Sequence, residues 1–284
     1  MKIDGQLIKK VRKQKNMTQG ELAKGICTQA TVSNMENKNI CDSLDILSKL
    51  CIRLDLKVEE CMEVSEEKQI RMILNDVEKL CLHANHKKGF KILKTISDDF
   101  EFTDNRLYNK FSYYKGITCL LGGGDIKASV FYLYQGSEYE RYSNIYNVLC
   151  LNSLGILYEI EEELSKAKKY YDKSLGILDD CIEKNSLKAC LIYYNSAKFY
   201  SEIKEYKKSV QLCEEGIEIC KNNQSGYLLD FLVYEKAYNK YMLEGNIAVE
   251  YMQAYYMAKF WGNKTLLKVI EEDIKNNQNN INCF

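Results

Sequence analysis

Six side chains between residues 28 and 34 have the chemistry that is needed to read base pairs. The amides of Gln29 and Asn34 can each form two hydrogen bonds with adenine, and the methyl groups of Ala30 and Thr31 can contact thymine methyls. Such side chains reach base edges when they lie at the amino-terminal end of a helix in the major groove. The predicted contacts in this run are Thr28, Gln29, Ala30, Thr31, Ser33 and Asn34.

Cap residues divide the first 62 residues into short helices that would position this run. Thr18 and Glu21 form a capping box at the start of one helix, and Thr28 and Ser43 are N-caps of two later helices. Two short helices that are joined by a tight turn and held by flanking helices indicate a helix-turn-helix. The predicted helices end near residues 16, 25 and 37, followed by a loop at 39–42, a helix from 43 and a short turn at 58–62.

Apolar spacing separates the core of this unit from its surface. Leu22, Ala23, Val32, Met35 and Leu47 are predicted core residues. Glu36 is expected to brace the domain, because an acid at the DNA backbone would repel phosphate. The predicted apolar stripe of the fourth helix is Leu44, Leu47, Leu50, Cys51 and Leu54.

Basic residues are concentrated at the amino-terminal end. Residues 1–38 contain eight basic and three acidic residues, a net charge of +5, whereas the whole chain is neutral. Such an asymmetry indicates a nucleic-acid contact near this end. Arg12, Lys13 and Lys38 are candidates for contacts with phosphate.

The order of these residues resembles the Xre/Cro/C1 repressor family. The match runs from Gly5-x-x-Ile8-x-x-x-Arg12 through Met17-Thr18-Gln19-x-Glu21-Leu22-Ala23 and Thr28-Gln29-x-x-Val32-Ser33-x-x-Glu36 to Leu44-x-x-Leu47. The resemblance implies that Gln19 contacts phosphate and that the protein dimerises on palindromic half-sites. Asn37-Lys38 stands where the family has glycine, and Asp42 stands where the family has proline. The loop after the predicted DNA-reading helix therefore departs from the family pattern.

From about residue 65 the pattern changes to long amphipathic helices with a recurring motif of small and aromatic residues. The clearest copy is Leu154-Gly155-x-x-Tyr158 followed by Ala167, Tyr171 and Ser174. Further copies include Gly116, Cys119, Ala128, Tyr132 and Gln135; Ala197, Tyr200, Ser209, Cys213 and Gly216; and two weaker ones with Val77, Leu80, Gly89, Leu93 and Ile96, and with Tyr238, Ile247, Tyr251 and Ala254.

These copies resemble the tetratricopeptide repeat, in which small residues let two antiparallel helices approach and aromatic residues fill the gap. We predict an all-α protein with a helix-turn-helix domain at 1–63 and a right-handed solenoid of about five degenerate repeats at 64–284. A generic helical bundle is the alternative. The absence of proline from the whole chain is consistent with long, closely connected helices.

Composition excludes several other classes of protein. The twelve cysteines are scattered without a Cys-x-x-Cys pair, which is typical of buried thiols in a reducing compartment. The first residues form no apolar signal segment and no run approaches the roughly 20 apolar residues of a membrane span, so we expect a cytoplasmic protein.

Enzyme chemistry finds little support in the sequence. His83 and His86 are the only histidines, and Gly122-Gly123-Gly124 lacks the residues of a phosphate loop and is expected to be a turn between helices. We predict no enzyme activity, no cofactor and no metal site. The two histidines are expected to be exposed at a helix end.

The two parts together resemble the Rap/Rgg/NprR/PlcR/PrgX family of peptide-responsive regulators of Gram-positive bacteria. Residues 26–33 and 194–198 are most similar to the PlcR branch. The resemblance implies a homodimer that binds operator DNA and is switched by a short, re-imported signalling peptide. The alternative is a regulator whose repeats bind a protein partner.

The peptide site is predicted on the first helix of each repeat, which lines the concave face of a tetratricopeptide solenoid. Asparagine side chains can pair with an extended backbone, and lysines suit a carboxylate. By resemblance Asn195 and Lys198 are the strongest candidates, and the family asparagine near residue 152 aligns with Ser153. The predicted peptide-binding residues are Asn152, Tyr194, Asn195, Lys198 and Lys236.

Overall fold

The described residues form sixteen α-helices and no β-strand, which confirms the predicted all-α fold. The computed structural model describes residues 1–62, 66–139, 143–245 and 248–276. The chain divides into two compact units, Met1–Ile70 and Arg71–Phe284. The predicted domain boundary at 63 and 64 lies outside the described residues, as do Ile247 and Cys283.

The helices of the first unit are α1 (Gly5–Gln14), α2 (Gln19–Ala23), α3 (Gln29–Lys38), α4 (Leu44–Leu54) and α5 (Val58–Cys61). Helix α6 (Glu66–Leu82) follows, then α7 (His86–Leu93), α8 (Asn105–Leu121), α9 (Ile126–Ser137), α10 (Ile145–Ile160) and α11 (Leu164–Asp180). The last are α12 (Leu187–Glu202), α13 (Tyr206–Asn222), α14 (Leu229–Glu244), α15 (Ala248–Phe260) and α16 (Lys264–Asn276).

The helices of the first unit begin where the predicted caps are. The Thr18 hydroxyl accepts from the Glu21 backbone N–H, and the Glu21 carboxylate accepts from Thr18, which completes the capping box. The hydroxyls of Thr28 and Ser43 cap α3 and α4 by accepting from the backbone N–H groups of Thr31 and Ile46. These bonds span three residues, so the local sequence specifies them.

The core of the first unit contains the predicted residues. Leu22, Val32 and Leu47 are fully buried, with Ala23 and Met35 beside them. The predicted apolar stripe of α4 is buried at Leu47, Leu50, Cys51 and Leu54, but Leu44 is 55% exposed. Leu44 occupies the first position of α4, so the stripe that packs inward begins at Leu47.

The second unit is built of the helix pairs α8/α9, α10/α11, α12/α13 and α14/α15, with α16 packing on α15. A further pair, α6/α7, meets at Gly89, where a Cβ atom would lie 3.3 Å from Val77. The small residues of the motif lie where the helices of a pair approach. A Cβ atom on Gly155 would lie 3.0 Å from the ring of Tyr171 on the partner helix, and one on Gly116 would lie 2.6 Å from Leu133. Gly122–Gly124 form the predicted turn between α8 and α9.

The described part of the chain was searched for membrane-spanning helices, disulfide bonds and metal-binding clusters. None of its helices is long and apolar enough to cross a membrane. Nine of its eleven cysteines are buried and all are free thiols, as expected of small apolar residues in a core. Within the same residues, no cluster of His, Cys, Asp and Glu could hold a metal ion.

Candidate DNA-binding surface and inner groove

The amino-terminal end of α3 presents the side chains that the sequence predicts as base contacts. Gln29, Ala30 and Asn34 are exposed, and Thr31 and Ser33 are half-buried. Thr28 is exposed, but its hydroxyl is held by the backbone N–H and the hydroxyl of Thr31. Gln29, Ala30 and Asn34 therefore present the exposed side chains of this part of α3, with one Gln29 N–H engaged by Gln19.

A chain of hydrogen bonds connects the interior of the unit to Gln29. The Gln19 amide donates to the Glu36 carboxylate at 2.9 Å, and the Gln29 amide donates to the Gln19 carbonyl oxygen at 3.0 Å. Because Glu36 can only accept, it turns the Gln19 amide so that its oxygen points toward Gln29. Gln29 then keeps one N–H and its oxygen for a partner outside, which is the donor and acceptor pair that adenine requires.

Arg12 lies inside the unit rather than on its surface. Its guanidinium donates to both Glu36 oxygens, at 2.6 and 2.9 Å, and to the Met17 carbonyl at 2.6 Å. The residue is 7% exposed and Glu36 is fully buried. The structure thus places Arg12 in a buried brace with Glu36, not at the exposed position that the predicted phosphate contact requires.

The pKa of Glu36 reflects this arrangement. Burial raises it, but the hydrogen bonds from Arg12 and Gln19 and the nearby positive charge outweigh burial, so the pKa lies below its usual range. The carboxylate therefore stays charged at neutral pH and keeps Gln19 in place.

The loop after α3 begins with Asn39 in a backbone conformation that glycine adopts most readily. Asn39 has a φ of 56°, in the left-handed region, and its backbone N–H donates to the Met35 carbonyl. Its side-chain oxygen accepts from the N–H of Gly5, where a Cβ atom would lie 2.0 Å from that same carbonyl. Asparagine tolerates this conformation, so the loop closes without glycine. Lys13 and Lys38 are exposed nearby.

A cavity of about 470 Å³ lies on the inner surface of the second unit. The first helices of four successive pairs, α6, α8, α10 and α12, form its walls, and the segment before α14 contributes Tyr227 and Leu228. The remaining lining residues are mostly apolar: Cys81, Leu82, Tyr113, Tyr114, Ile117, Leu121, Leu149, Ile156, Leu187 and Leu191, with Glu78, His86, Ser153, Lys188 and Asn195 as polar groups. We call this cavity the inner groove.

Two of the predicted peptide-binding residues, Asn195 and Asn152, are hydrogen-bonded to each other. Asn195 lines the inner groove and donates to the Asn152 oxygen at 3.0 Å. Asn152 is 1% exposed, and its amide donates to the Ser196 hydroxyl. Asn152 is therefore a core residue that positions Asn195, and its neighbour Ser153 reaches the groove instead.

The other three predicted residues are not gathered at the inner groove. Tyr194 is half-buried against Phe231, with ring centroids 5.6 Å apart, and the exposed Lys198 has its ammonium 5.9 Å from the Tyr194 ring. Lys236 forms an ion pair with Glu214 at 2.7 Å and lines a different cavity, between α13, α14 and α15. The structure therefore separates Lys236 from Asn195.

Polar residues that the sequence analysis missed lie at the groove. Glu78 on α6 is paired with Lys110 on α8 at 2.7 Å and with Lys188 on α12 at 2.6 Å. His86 lines the groove half-buried, in contrast to the expected exposed position, and burial lowers its pKa. No sequence motif indicates these residues, because Glu78 and its ion-pair partner Lys188 are 110 positions apart in the chain.

The first unit belongs to a known class of DNA-binding domain. Residues 8–61 match the helix-turn-helix family HTH_3. This segment is therefore a helix-turn-helix domain, of the kind that places its second helix in the major groove. The family consists of transcription regulators and not of enzymes, in agreement with the prediction from the sequence.

Solved structures of two bacterial regulators resemble the chain along nearly its whole length. Apo PlcR from Bacillus thuringiensis is 18% identical with a TM-score of 0.66, and the match covers 95% of this chain and 98% of that one. PlcR in complex with the peptide PapR7 and DNA is 20% identical with a TM-score of 0.60, covering 96% and 99%. ComR from S. thermophilus in complex with DNA and its signalling peptide ComS is 14% identical with a TM-score of 0.53, covering 96% and 99%.

At these identities the likeness establishes the fold, a helix-turn-helix domain followed by stacked helix pairs. No curated protein matches the sequence.

Proposed function

We propose that this protein is a PlcR-like cytoplasmic transcription regulator that binds operator DNA as a homodimer and is switched by a short signalling peptide. The observation that carries the proposal is the joint presence of an outward-facing Gln29, oriented from a buried carboxylate, and an apolar groove of about 470 Å³ in the second unit. The first feature provides base recognition and the second provides a ligand site.

The DNA-binding half of the proposal rests on the surface of α3. Gln29 and Asn34 offer amides to adenine, and Ala30 and Thr31 offer methyl groups to thymine. Gln19, Lys13 and Lys38 are proposed to contact phosphates, and Thr28 and Ser33 are proposed to add further contacts with the DNA. One such domain buries too little surface for tight specific binding, which favours two copies on a palindromic operator.

The peptide-binding half rests on the inner groove. Its apolar walls suit the side chains of a short peptide, and Asn195 can donate to or accept from an extended backbone. Tyr194 and Lys198, on the same helix, are proposed to extend this site. The PlcR and ComR structures with peptide and DNA show that the same fold can hold both ligands in those proteins.

The proposal is tested by a gel shift with the purified full-length protein on the intergenic DNA beside its own gene. The shift is measured with and without the carboxy-terminal peptides of small open reading frames next to that gene. We expect one peptide to strengthen, weaken or re-size the shift. No shift at low salt would contradict DNA binding, and a shift that every peptide leaves unchanged would favour a protein partner of the repeats.

A further inference from the structure

Three cations surround one tyrosine ring beside the inner groove. Arg106, Lys110 and Lys188 have their charged groups 5.4, 5.8 and 5.9 Å from the ring centroid of Tyr146. The Tyr146 side chain is buried, and its ring connects to the groove through Tyr113, at 6.2 Å. Cations that converge on one aromatic ring repel one another, so they require anions nearby.

The carboxylates that pair with these three cations are fewer than the cations. Glu183 is paired with Arg106, and Glu78 is shared by Lys110 and Lys188. Among the described residues, these ion pairs therefore join three positive charges to two negative ones. Both pairings lower the pKa of the Glu78 carboxyl against the effect of burial, so Glu78 is ionised and this count holds at neutral pH.

The position of Lys188 gives the excess charge access to a ligand. Its side chain is 34% exposed and lines the groove beside Leu187 and Leu191, while Lys110 behind it is 11% exposed. Lys188 forms one ion pair among the described residues, and an ammonium carries three N–H donors. Partial burial strengthens the attraction for an added anion several-fold over that in bulk water.

We propose that Lys188, supported by Lys110, is an anion subsite of the inner groove that binds a carboxylate of the peptide. The apolar walls next to it then take the peptide side chains that adjoin this carboxylate. The inference rests on the proposed peptide-binding function, and it specifies the ligand as a short peptide with a carboxylate next to apolar residues. The carboxylate belongs either to the free carboxy terminus or to an Asp or Glu side chain.

Three random heptapeptide libraries distinguish these sources when they are passed over the immobilised full-length protein. The first lacks Asp and Glu and has free carboxy termini, the second is the same library with carboxy-terminal amides, and the third contains Asp and Glu but is amidated. We expect retention of the first library to exceed that of the second at least tenfold, as the loss of a charge-assisted contact predicts. Enrichment of Asp or Glu in the third library would assign the site to a side-chain carboxylate.

Equal retention of all three libraries, without enrichment of Asp or Glu, would overturn the anion subsite and leave peptide binding intact. Retention of none of them would contradict the proposed peptide-binding function as well. The native protein is used in each arm, so these outcomes do not depend on the folding of a variant.

Variants then locate the subsite. Lys188→Gln is expected to reduce retention of the preferred library about tenfold, and Lys188→Arg is expected to preserve most of it because the charge remains. Lys240→Gln is the matched control, since Lys240 is 27% exposed and paired with Glu250 between α14 and α15, outside the groove. Unchanged retention by Lys188→Gln would overturn the assignment.

Discussion

The buried ion pair between Arg12 and Glu36 connects the stability of the helix-turn-helix to its chemistry. Two buried charges are tolerated because every oxygen of Glu36 has a donor: both accept from Arg12, and one also accepts from Gln19. The same carboxylate sets the orientation of the amide chain that ends at Gln29. A substitution at Glu36 is therefore expected to affect folding and DNA recognition together.

Glu36→Ala should destabilise the first unit by about 3–5 kcal/mol, because it leaves a buried guanidinium without its partner. That is a large part of the total stability of a domain of this size, roughly 3–9 kcal/mol. Hydrogen exchange of peptides from residues 1–62 measures the effect, with peptides from the second unit as internal reference. Asp45→Ala, which removes an exposed pair with Lys49, should cost less than about 1 kcal/mol. Similar losses for both variants would contradict the bracing role of Glu36.

Gln19 and Gln29 should act as one unit in DNA binding. Gln29→Ala is expected to weaken operator binding by about 1–3 kcal/mol, or roughly 5- to 150-fold. Because Gln19 orients Gln29, the double variant should lose less than the sum of the two single variants, by about 0.5 kcal/mol or more. Fluorescence anisotropy with a labelled operator measures the cycle, and the exposed Gln211→Ala serves as control. Strict additivity would argue against the coupling.

At the scale of elements, close approach within a helix pair depends on the residues that leave room for an aromatic ring. Gly155 on α10 lies against the ring of Tyr171 on α11, and that ring is 1% exposed. The Tyr171 hydroxyl also donates to Glu159 at 2.7 Å, which holds the ring in place. The ring therefore has little freedom to move away from an added methyl group.

Gly155→Ala is expected to destabilise the second unit by about 1–3 kcal/mol through overpacking, despite the better helix propensity of alanine. Gly176→Ala on α11 is the matched control, because a Cβ atom there meets nothing within 4 Å. That variant should be neutral or stabilising by up to about 1 kcal/mol. Urea unfolding followed by circular dichroism compares the two. A stabilising Gly155→Ala would show that the helix pair is not closely packed at this point.

At the scale of the whole molecule, the second unit curves until its first and fourth helix pairs meet. The ion pair between Glu78 on α6 and Lys188 on α12 shows this directly, since two helix pairs separate them along the chain. The inner groove therefore has walls that come from four different pairs. A peptide bound as proposed would touch all four pairs at once, so we expect its binding to affect the packing of the whole unit.

The single tryptophan of the chain should report the binding of a peptide in the groove. Trp261 lies against Gly226, where a Cβ atom would be 2.1 Å from its ring, and the next two residues, Tyr227 and Leu228, line the groove. Addition of a peptide that changes the gel shift is expected to change the Trp261 emission, with saturation at the same concentration. Trp261→Phe should abolish the signal but keep the gel-shift response. A peptide that alters DNA binding without changing the emission would place its site elsewhere.

Much of this architecture could be predicted because it depends on local rules. The caps at Thr18, Thr28 and Ser43 act over three residues, so the sequence alone predicts where these helices begin. The helix-turn-helix has a fixed spacing of residue types, so it can be recognised in the same way. The repeated small and aromatic residues likewise indicated helix pairs, since each copy describes one contact between sequential helices. The exposed position of Gln29 follows from its place at the start of α3.

The tertiary structure decided which polar residues line the inner groove. Arg12 is directed inward by Glu36, which lies 24 positions away, and Asn152 is buried between α10 and α12 while Asn195 lines the groove. Lys188 meets Glu78 across 110 positions. A pattern of residue types predicts which helix carries a side chain. The partners of that side chain depend on how helices that are distant in the chain pack together. That packing is set by the sum of many contacts along the solenoid, and no single motif in the sequence contains it.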